Sequence, residues 1–295
     1  METQTATTKV ATHKDVQTLL NERIIEQLEK GIIPWCKPWS AGIPKNLVTG
    51  NPYRNINLVL LSCLGYERNL FIREKQMKEV GASILPGERP HMVAYWNYKD
   101  DTGKEQAPQL RYYLVYNVAQ CSGISANLLA EHRNQRFDVE SCQRIVTDMQ
   151  HRPAIKSKQQ LAFYDVMEDY INMPKLSAFP SEAEHYSKLY HELMHSTGHH
   201  TRLDRMGLVQ MTEFGYVGCS QEEIVAEIGT RYLEALTGIT GNVPWSDAYL
   251  QTCIAKMKAD KTFIFTAASL AQKAIDFILD VVAETVEAAE ETVVA

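Results

Sequence analysis

The sequence lacks a membrane-spanning segment, a signal peptide and a nucleotide-binding glycine loop. No apolar run among its 295 residues reaches the roughly 18–20 residues that cross a bilayer. The Thr-rich N-terminal segment has no apolar signal-peptide core, so we expect a cytoplasmic protein with no membrane partner and a disordered first dozen residues. There is also no internal repeat and no glycine-rich loop that would hold nucleotide phosphates.

Closely spaced cysteine pairs are absent as well. The six cysteines are scattered along the chain without a C-x-x-C pair: Cys36, Cys63, Cys121, Cys142, Cys219 and Cys253. This spacing favours free thiols in a reducing compartment over a disulfide framework.

An excess of positive charge is missing from the chain as a whole, because the formal net charge is −6. The distribution is uneven. Residues 31–111 carry 11 Lys and Arg against 7 Asp and Glu, whereas residues 266–295 carry one Lys against 6 acidic residues. The acidity is therefore concentrated in the tail, and the N-terminal part is mildly basic, although such a segment is often only a solvated surface.

The most informative motif that is present is His191-Glu192-Leu193-Met194-His195. Positions i and i+4 of a helix share one face, so His191 and His195 can reach one metal ion. Glu192 is displaced by one position, which places its carboxylate beside the ion as a general base. This pattern is typical of zinc-dependent peptidases.

Local context favours a real helix at this motif over a chance pair of surface histidines. Ser181 to Glu184 forms a capping box, apolar residues then recur at helical spacing, and Gly198 provides a stop. We therefore predict a helix from Ser181 to Thr197, with the two histidines beside its apolar stripe.

A catalytic zinc site needs a third protein ligand. The long metzincin spacing is excluded because position 201 is Thr, and His199 and His200 are candidates only if the chain curls back. A second helix carrying Glu223 and Glu227 is the stronger candidate. We assign Glu223 as the ligand and Glu227 as the residue that orients a ligand histidine, with reversed roles or a solvated acidic face as the alternatives.

The N-terminal part combines helices, an aromatic segment and a hairpin. Residues 16–28 predict an amphipathic helix, and two strands, at 91–98 and 110–116, predict a hairpin. Trp35 and Trp39 alternate with prolines and Lys37, so they either plug the core or stack on bases of single-stranded nucleic acid.

The fold class predicted is α+β with two domains. Residues 123–136 are polar and turn-rich, which sets the boundary and gives domains of 1–135 and 136–295. Residues 163–174 predict one long or two short strands before the metal helix, and an edge strand there could bind a substrate backbone by strand addition. A long helix from Ala267 to Val282 leads into the acidic tail.

In combination, these segments resemble the ArdC antirestriction proteins of conjugative plasmids and the N-terminal part of some plasmid DNA primases, from about residue 15 to about residue 240. One departure is Asn55, where the family usually has glycine. The segments that carry the resemblance are Pro34-Trp35, Pro38-Trp39, Tyr53-Arg54-Asn55-Ile56-Asn57, Tyr116-Asn117-Val118-Ala119-Gln120, His191 to His199, Arg202-Leu203 and Glu222 to Glu227.

The resemblance implies an N-terminal α/β domain that binds single-stranded DNA and a C-terminal zincin-like domain related to the SprT group. It also implies that the protein shields incoming plasmid DNA from host restriction during conjugation. The metal would be one divalent ion, with zinc favoured and manganese as the alternative. Candidate DNA contacts are Trp35, Lys37, Trp39, Tyr53, Arg54, Asn57, Arg73, Lys75 and Lys78.

Two other functions remain open from the sequence. One is a DNA-binding shield whose peptidase activity is dispensable. The other is a cytosolic zinc metallopeptidase whose N-terminal domain binds protein. The protein substrate is not specified by any motif, and Tyr216 and His199 are the candidates for stabilising an oxyanion.

Overall fold

The computed structural model describes residues 13–36, 39–99, 102–132, 135–205, 219–241 and 246–281. Helices and strands are both abundant there, so the α+β class is confirmed. The described helices are α1 His13–Glu29, α2 Ile56–Ser62, α3 Glu74–Glu79, α4 Ala126–Ala130, α5 Val139–Asp148, α6 Glu182–Ser196, α7 Gln221–Thr237, α8 Asp247–Ala259 and α9 Phe263–Ile278. The strands are β1 Lys45–Asn46, β2 Leu70–Ile72, β3 Ser83–Ile84, β4 His91–Lys99, β5 Glu105–Asn117, β6 Cys121–Ser122, β7 Ala154–Lys156, β8 Phe163–Asp165 and β9 Tyr170–Asn172.

The predicted hairpin is confirmed and belongs to a four-stranded sheet ordered β1-β2-β5-β4. β4 and β5 are antiparallel, and Trp96 lies opposite Leu110. Period-two alternation sends neighbouring side chains to opposite faces. As a result, Met92 and Ala94 enter the main core, whereas Val93 joins a second cluster with Phe71.

Two short strands precede the metal-motif helix, which agrees with one form of the prediction for residues 163–174. They form a three-stranded sheet in the order β7-β9-β8, in which β8 is an edge strand antiparallel to β9. Among the described strands, nothing pairs with the outer side of β8, so its backbone is available for strand addition.

Serine caps start both helices that carry the predicted metal ligands. The Ser181 hydroxyl accepts a hydrogen bond from the Glu184 amide at the start of α6, and Ser220 does the same for the Glu223 amide at the start of α7. α7 ends at Gly238, whose φ of 73° is the left-handed conformation that glycine adopts without strain. These caps fix where each helix begins and therefore which residues face each other.

The main hydrophobic cluster is continuous between the N-terminal and C-terminal parts of the chain. It contains residues of α1 and α2 together with residues of α6 to α9. The Trp35 indole donates to the Tyr249 hydroxyl at 3.2 Å, and Arg54 pairs with Asp276 at 2.5 Å. The boundary at residue 135 stays a prediction, but the two sides of it share one core.

The expectation that all six cysteines are free is wrong for one pair. Cys219 and Cys253 form a disulfide between the start of α7 and the middle of α8, with their Cα atoms 5.4 Å apart. Sequence spacing gave no sign of it because 34 residues separate the two. Cys36, Cys63, Cys121 and Cys142 are free thiols, and three of these are buried.

No helix in the described ranges is both long enough and apolar enough to cross a membrane. The predicted disorder of the first dozen residues and the acidic tail from residue 282 lie outside the described residues. The long C-terminal helix is present, but it starts earlier and ends earlier than predicted, at Phe263–Ile278.

Candidate metal centre

The two motif histidines lie side by side on the buried face of α6. His191 and His195 are exposed by only 6% and 5%, and their Nε2 atoms are 3.1 Å apart. A distance this short between two nitrogens of the same kind is unfavourable unless a proton or a cation lies between them. The helix therefore presents two converging imidazoles.

Glu223 completes the group from the facing helix α7. Its two carboxylate oxygens lie 3.6 Å from His191 Nε2 and 3.3 Å from His195 Nε2. In a tetrahedral site with bonds of about 2.0–2.2 Å, ligand atoms are ~3.3 Å from each other, so these spacings suit a zinc-sized ion. Within the described residues, His191, His195 and Glu223 are the one group of three His, Cys, Asp or Glu side chains whose ligand atoms all lie within 4.8 Å of one another.

The outer nitrogens of both imidazoles face buried carboxylates. Glu227 Oε1 lies 3.3 Å from His191 Nδ1, and Glu222 Oε1 lies 3.3 Å from His195 Nδ1. A carboxylate that accepts from Nδ1–H fixes the tautomer that leaves Nε2 free to bind a metal. Each imidazole is thus oriented by its own glutamate, and the donor set fits a divalent cation.

Glu222 is itself held by a buried arginine. Arg205 Nε and Nη2 donate to the two oxygens of Glu222 at 2.9 and 2.5 Å. The same guanidinium donates to the Thr197 hydroxyl and to the Met194 carbonyl near the end of α6. Arg205 therefore connects the last turn of α6 to α7 through a bidentate ion pair, a geometry that guanidinium favours.

Gly198 makes room for this arginine. A Cβ atom at position 198 would lie 3.0 Å from Arg205 Nη2 and 3.1 Å from its Cζ. The sequence prediction explained Gly198 as a helix stop, and α6 does end just before it, at Ser196. The additional reason for glycine is the close approach of the guanidinium.

The carboxylates dominate the electrostatics of the site. Burial disfavours a charged His195, but the hydrogen bonds and charges of Glu222 and Glu223 outweigh it and raise the pKa of His195 to about 10. Burial also disfavours ionised Glu222, yet Arg205 and His195 lower the pKa of that carboxyl below its ordinary value. Without a metal, the site therefore stabilises positive charge on His195.

Glu192, the predicted general base, lies next to the group without joining it. Its side chain is buried, and its Oε1 is 3.6 Å from the half-exposed ammonium of Lys188, one turn earlier. Glu192 directly follows the ligand candidate His191 in α6, and its role as the general base stays a prediction.

The two candidates for stabilising an oxyanion are His199 and Tyr216. His199 is buried, and its Nδ1 is 2.8 Å from the Thr201 hydroxyl and 4.0 Å from Asp169, so it lies outside the metal group. Tyr216 lies outside the described residues. A neighbouring network, in which Arg202 pairs with Asp169 and Tyr164 donates to the same carboxylate, ties the edge strand β8 to the segment after α6.

Several predicted DNA contacts are buried. Trp35 and Trp39 are exposed by 0% and 3% and lie in the main core, so neither offers a ring face to a base. Tyr53 packs edge-on against Phe71 in the second cluster. Asn57 bonds both backbone groups of Ala94 and so acts as a connector to β4. These four residues are corrected to structural roles.

The basic candidates have different surroundings. Arg54 is partly buried against Asp276, and Arg73 lies over the Tyr113 ring at 5.2 Å. Lys75 and Lys78 are exposed on the short helix α3, where Lys78 is 3.8 Å from Glu74. Lys37 lies outside the described residues.

Sequence reasoning missed two residues of the metal centre, Glu222 and Arg205. Glu222 looked like one more member of an acidic helix face, and nothing in the spacing separated it from Glu223. Arg205 follows the motif by ten positions, beyond any helical periodicity. Arg202 and Arg205 both follow the helix stop, so no sequence signal showed which of the two arginines would pair with a buried carboxylate of the next acidic segment.

Two protein-family models match this sequence. The model of the N-terminal domain of the anti-restriction factor ArdC matches residues 14–119, and the zincin-like metallopeptidase model matches residues 140–270. A zincin-like domain implies a divalent metal site, which agrees with the residue group found here.

Curated relatives share the sequence over most of this chain. Two proteins named DNA primase TraC from Escherichia coli are 31% and 29% identical, over 88% and 90% of this chain. The chain spans only 26% and 20% of their lengths. An uncharacterised protein, y4eC of Sinorhizobium fredii, is 26% identical and is covered over 92% of its length.

Solved structures agree with these matches. The metal-free crystal structure of the antirestriction protein ArdC from plasmid R388 has a TM-score of 0.72 and 31% identity, covering 90% of this chain and 97% of that chain. Its Mn(II)-bound form gives a TM-score of 0.73 and 32% identity over the same shares. Because the R388 protein is more than 30% identical to this chain and is covered over 97% of its length, the chain belongs to the ArdC antirestriction protein family.

Proposed function

We propose that this protein binds single-stranded DNA non-specifically, protects incoming plasmid DNA from host restriction during conjugation, and carries a metal-dependent peptidase centre. The peptidase half is supported above all by the convergence of His191, His195 and Glu223 within 4.8 Å of one another. The DNA half is supported by membership of the ArdC family and by the mildly basic N-terminal part.

The residues around the group define a hydrolytic arrangement. A divalent ion bound by the three ligand side chains supplies Lewis acidity that polarises a scissile carbonyl and acidifies water. Glu192 accepts a proton at its carboxylate and returns it to the leaving amine. Glu222 and Glu227 hold the two imidazoles in one tautomer, and the edge strand β8 offers backbone groups to an extended peptide.

Zinc is the ion that we propose for the centre, because two imidazoles and one carboxylate are a donor set that catalytic zinc takes. Manganese is the competitor, since the R388 relative was crystallised with Mn(II). Carboxylate suits both ions, so donor type alone does not separate them. Metal analysis of protein purified without chelator, followed by competition between the two ions, decides the matter.

A Glu192→Gln variant tests the peptidase proposal. The substitution removes the general base without changing side-chain volume, so we expect casein cleavage to fall by roughly 10²- to 10⁴-fold while metal content stays unchanged. Glu182→Gln, an exposed change on the same helix, is the matched control. Cleavage at the wild-type rate by Glu192→Gln would contradict the assigned chemistry.

The same variant separates the peptidase from the dispensable-activity alternative. Plasmid transfer into a restricting host is compared for wild type and Glu192→Gln. Loss of protection would mean that proteolysis protects the DNA, whereas full protection would favour a shield in which the metal centre has another role. The primase activity of the TraC relatives is not proposed, because this chain matches only about a quarter of their length or less.

A further inference from the structure

A cleft at the boundary between the N-terminal sheet and helix α9 is not used by the metal centre. It encloses about 600 Å³. One wall is the β4–β5 hairpin, the floor is the turn that carries Arg54, and the opposite wall is α9. The aromatic residues on the hairpin side are Tyr95, Trp96, Tyr98 and Tyr113.

We propose that this cleft binds unpaired nucleotides of single-stranded DNA, by stacking bases on Trp96 and Tyr98 and holding phosphate near Lys273 and Arg54. The proposal rests on the DNA-binding function above and gives it a location. It replaces the buried Trp35 and Trp39, which cannot stack on a base.

Exposed aromatic rings are the first observation that supports it. Trp96 and Tyr98 are 45% and 56% exposed, so about half of the surface of each of these large aromatic residues is open to solvent. They are two positions apart on β4, and both line the cleft. Single-strand-binding proteins present such rings, because every base has a face that stacks whatever its sequence.

The charge of the cleft is the second observation. Among the described lining residues, the charged ones are Arg54 and Lys273, and none is acidic. Lys273 is exposed on α9, while Arg54 is anchored to Asp276 on the same helix. The exposed charge of the cleft is positive although the chain has a net charge of −6. Such a cleft suits a polyanion rather than a basic peptide.

Size and shape are the third observation. The volume falls within the range of clefts that enclose small organic ligands, so it has room for unpaired nucleotides. In a duplex the bases are stacked on each other and cannot present their faces to Trp96 or Tyr98. The cleft therefore selects single strands, and its ring faces carry no sequence code.

Binding of a labelled oligodeoxythymidine to the full chain at several salt concentrations tests the proposal. We expect Trp96→Ala and Tyr98→Ala each to weaken binding by roughly 5- to 100-fold, the range for loss of one stacked base. Lys273→Glu should weaken it and flatten the salt dependence, because one phosphate contact is lost. Trp96→Phe, which keeps a ring, should bind close to wild type.

Matched controls are available on the same elements. Leu114 is also 45% exposed and belongs to the same hairpin without lining the cleft, so Leu114→Ala should leave affinity unchanged. Lys175→Glu is the control for charge reversal, since Lys175 is exposed on the peptidase side. Thermal unfolding verifies that each variant is folded. If a hairpin variant does not fold, the DNA affinity of Lys273→Glu still tests the proposal.

Tryptophan fluorescence distinguishes direct stacking of a base on Trp96 from an indirect, structural role of this residue. Of the tryptophans in the described ranges, Trp35 and Trp39 are buried and Trp96 is exposed, so stacking on DNA should change the Trp96 emission. The wild-type response should disappear in Trp96→Phe while binding is retained. If the wild type binds DNA but Trp96→Ala, Tyr98→Ala and Lys273→Glu bind equally well, the cleft assignment is overturned and the DNA-binding function survives. If the wild type itself binds no oligonucleotide at low salt, the proposed function fails as well.

Discussion

At the scale of single residues, the metal group is where sequence and structure agree most. His191 and His195 followed from helical spacing, and Glu223 from a second helix, because i and i+4 neighbours share a face whatever the tertiary fold. The roles of Glu222 and Arg205 could not be predicted from the sequence, since they depend on how α7 packs on α6. Periodicity predicts which residues share a face, and only packing decides what that face meets.

The Arg205–Glu222 pair should control metal affinity through His195. Glu222→Gln places an amide N–H₂ against the donors of Arg205 and weakens the acceptor for His195 Nδ1. We expect metal affinity to fall by roughly 10- to 100-fold, as for other carboxylates that orient ligand histidines. Isothermal titration with zinc measures it, and Glu182→Gln is the exposed control. Unchanged affinity in a folded Glu222→Gln protein would remove Glu222 from the metal centre.

Metal binding should become tighter as pH rises. In the metal-free protein the pKa of His195 is raised from 6.5 to about 10, so this imidazole must lose a proton before it can act as a ligand. Titration in buffers of different ionisation enthalpy should detect proton release at pH 7. By the same sign, protonated His195 stabilises the metal-free fold fully below pH 6.5, and this contribution is lost as pH rises through about 10. Binding without proton release would contradict the shift.

At the scale of elements, the start of α6 and the β4–β5 hairpin were predictable because a serine cap and period-two alternation are local signals. The bounds of α9 were less predictable, since this helix runs from Phe263 to Ile278 instead of from Ala267 to Val282. The free-cysteine expectation was wrong for Cys219 and Cys253, which lie just before α7 and within α8 and meet only in the folded chain. Asn55 adopts φ 54°, which accounts for the glycine usual at this position in the family.

The crossing of α6 and α7 depends on Gly229. A Cβ there would lie 1.9 Å from Met194 Cε and 2.2 Å from its Sδ, and Met194 is fully buried. Gly229→Ala should therefore lower the free energy of unfolding by about 1–3 kcal/mol through overpacking, and it should disturb the spacing between His195 and Glu223. Chemical denaturation measures the loss. Gly241→Ala, with nothing within 4 Å, is the control, and equal stability of both variants would contradict this packing.

At the scale of the whole molecule, family resemblance predicted an N-terminal and a C-terminal part, and residues of both pack into one hydrophobic core. The predicted aromatic DNA contacts are core residues. The sequence could not show this, because a tryptophan between prolines looks the same whether it faces water or the interior. Burial is a property of the assembled chain, so composition could not decide it. The exposed aromatic residues Trp96 and Tyr98 lie on the hairpin that strand alternation predicted.

A shared core predicts that both parts unfold together. Trp35 is fully buried, and its indole bonds Tyr249 on α8, so Trp35→Ala should lower the free energy of unfolding by about 3–5 kcal/mol. Far-ultraviolet circular dichroism and loss of zinc should report one coincident transition in wild type and variant. Two separated transitions, with zinc retained after the first, would mean that the parts fold independently.

Anomalous diffraction from crystals of the metal-loaded protein would locate the ion and its ligands directly. We expect one peak about 2.0–2.2 Å from His191 Nε2, His195 Nε2 and a carboxylate oxygen of Glu223, with Glu227 bonded to His191 Nδ1 instead of the ion. A peak bound by Glu227 in place of Glu223, or a cation elsewhere in the chain, would contradict it.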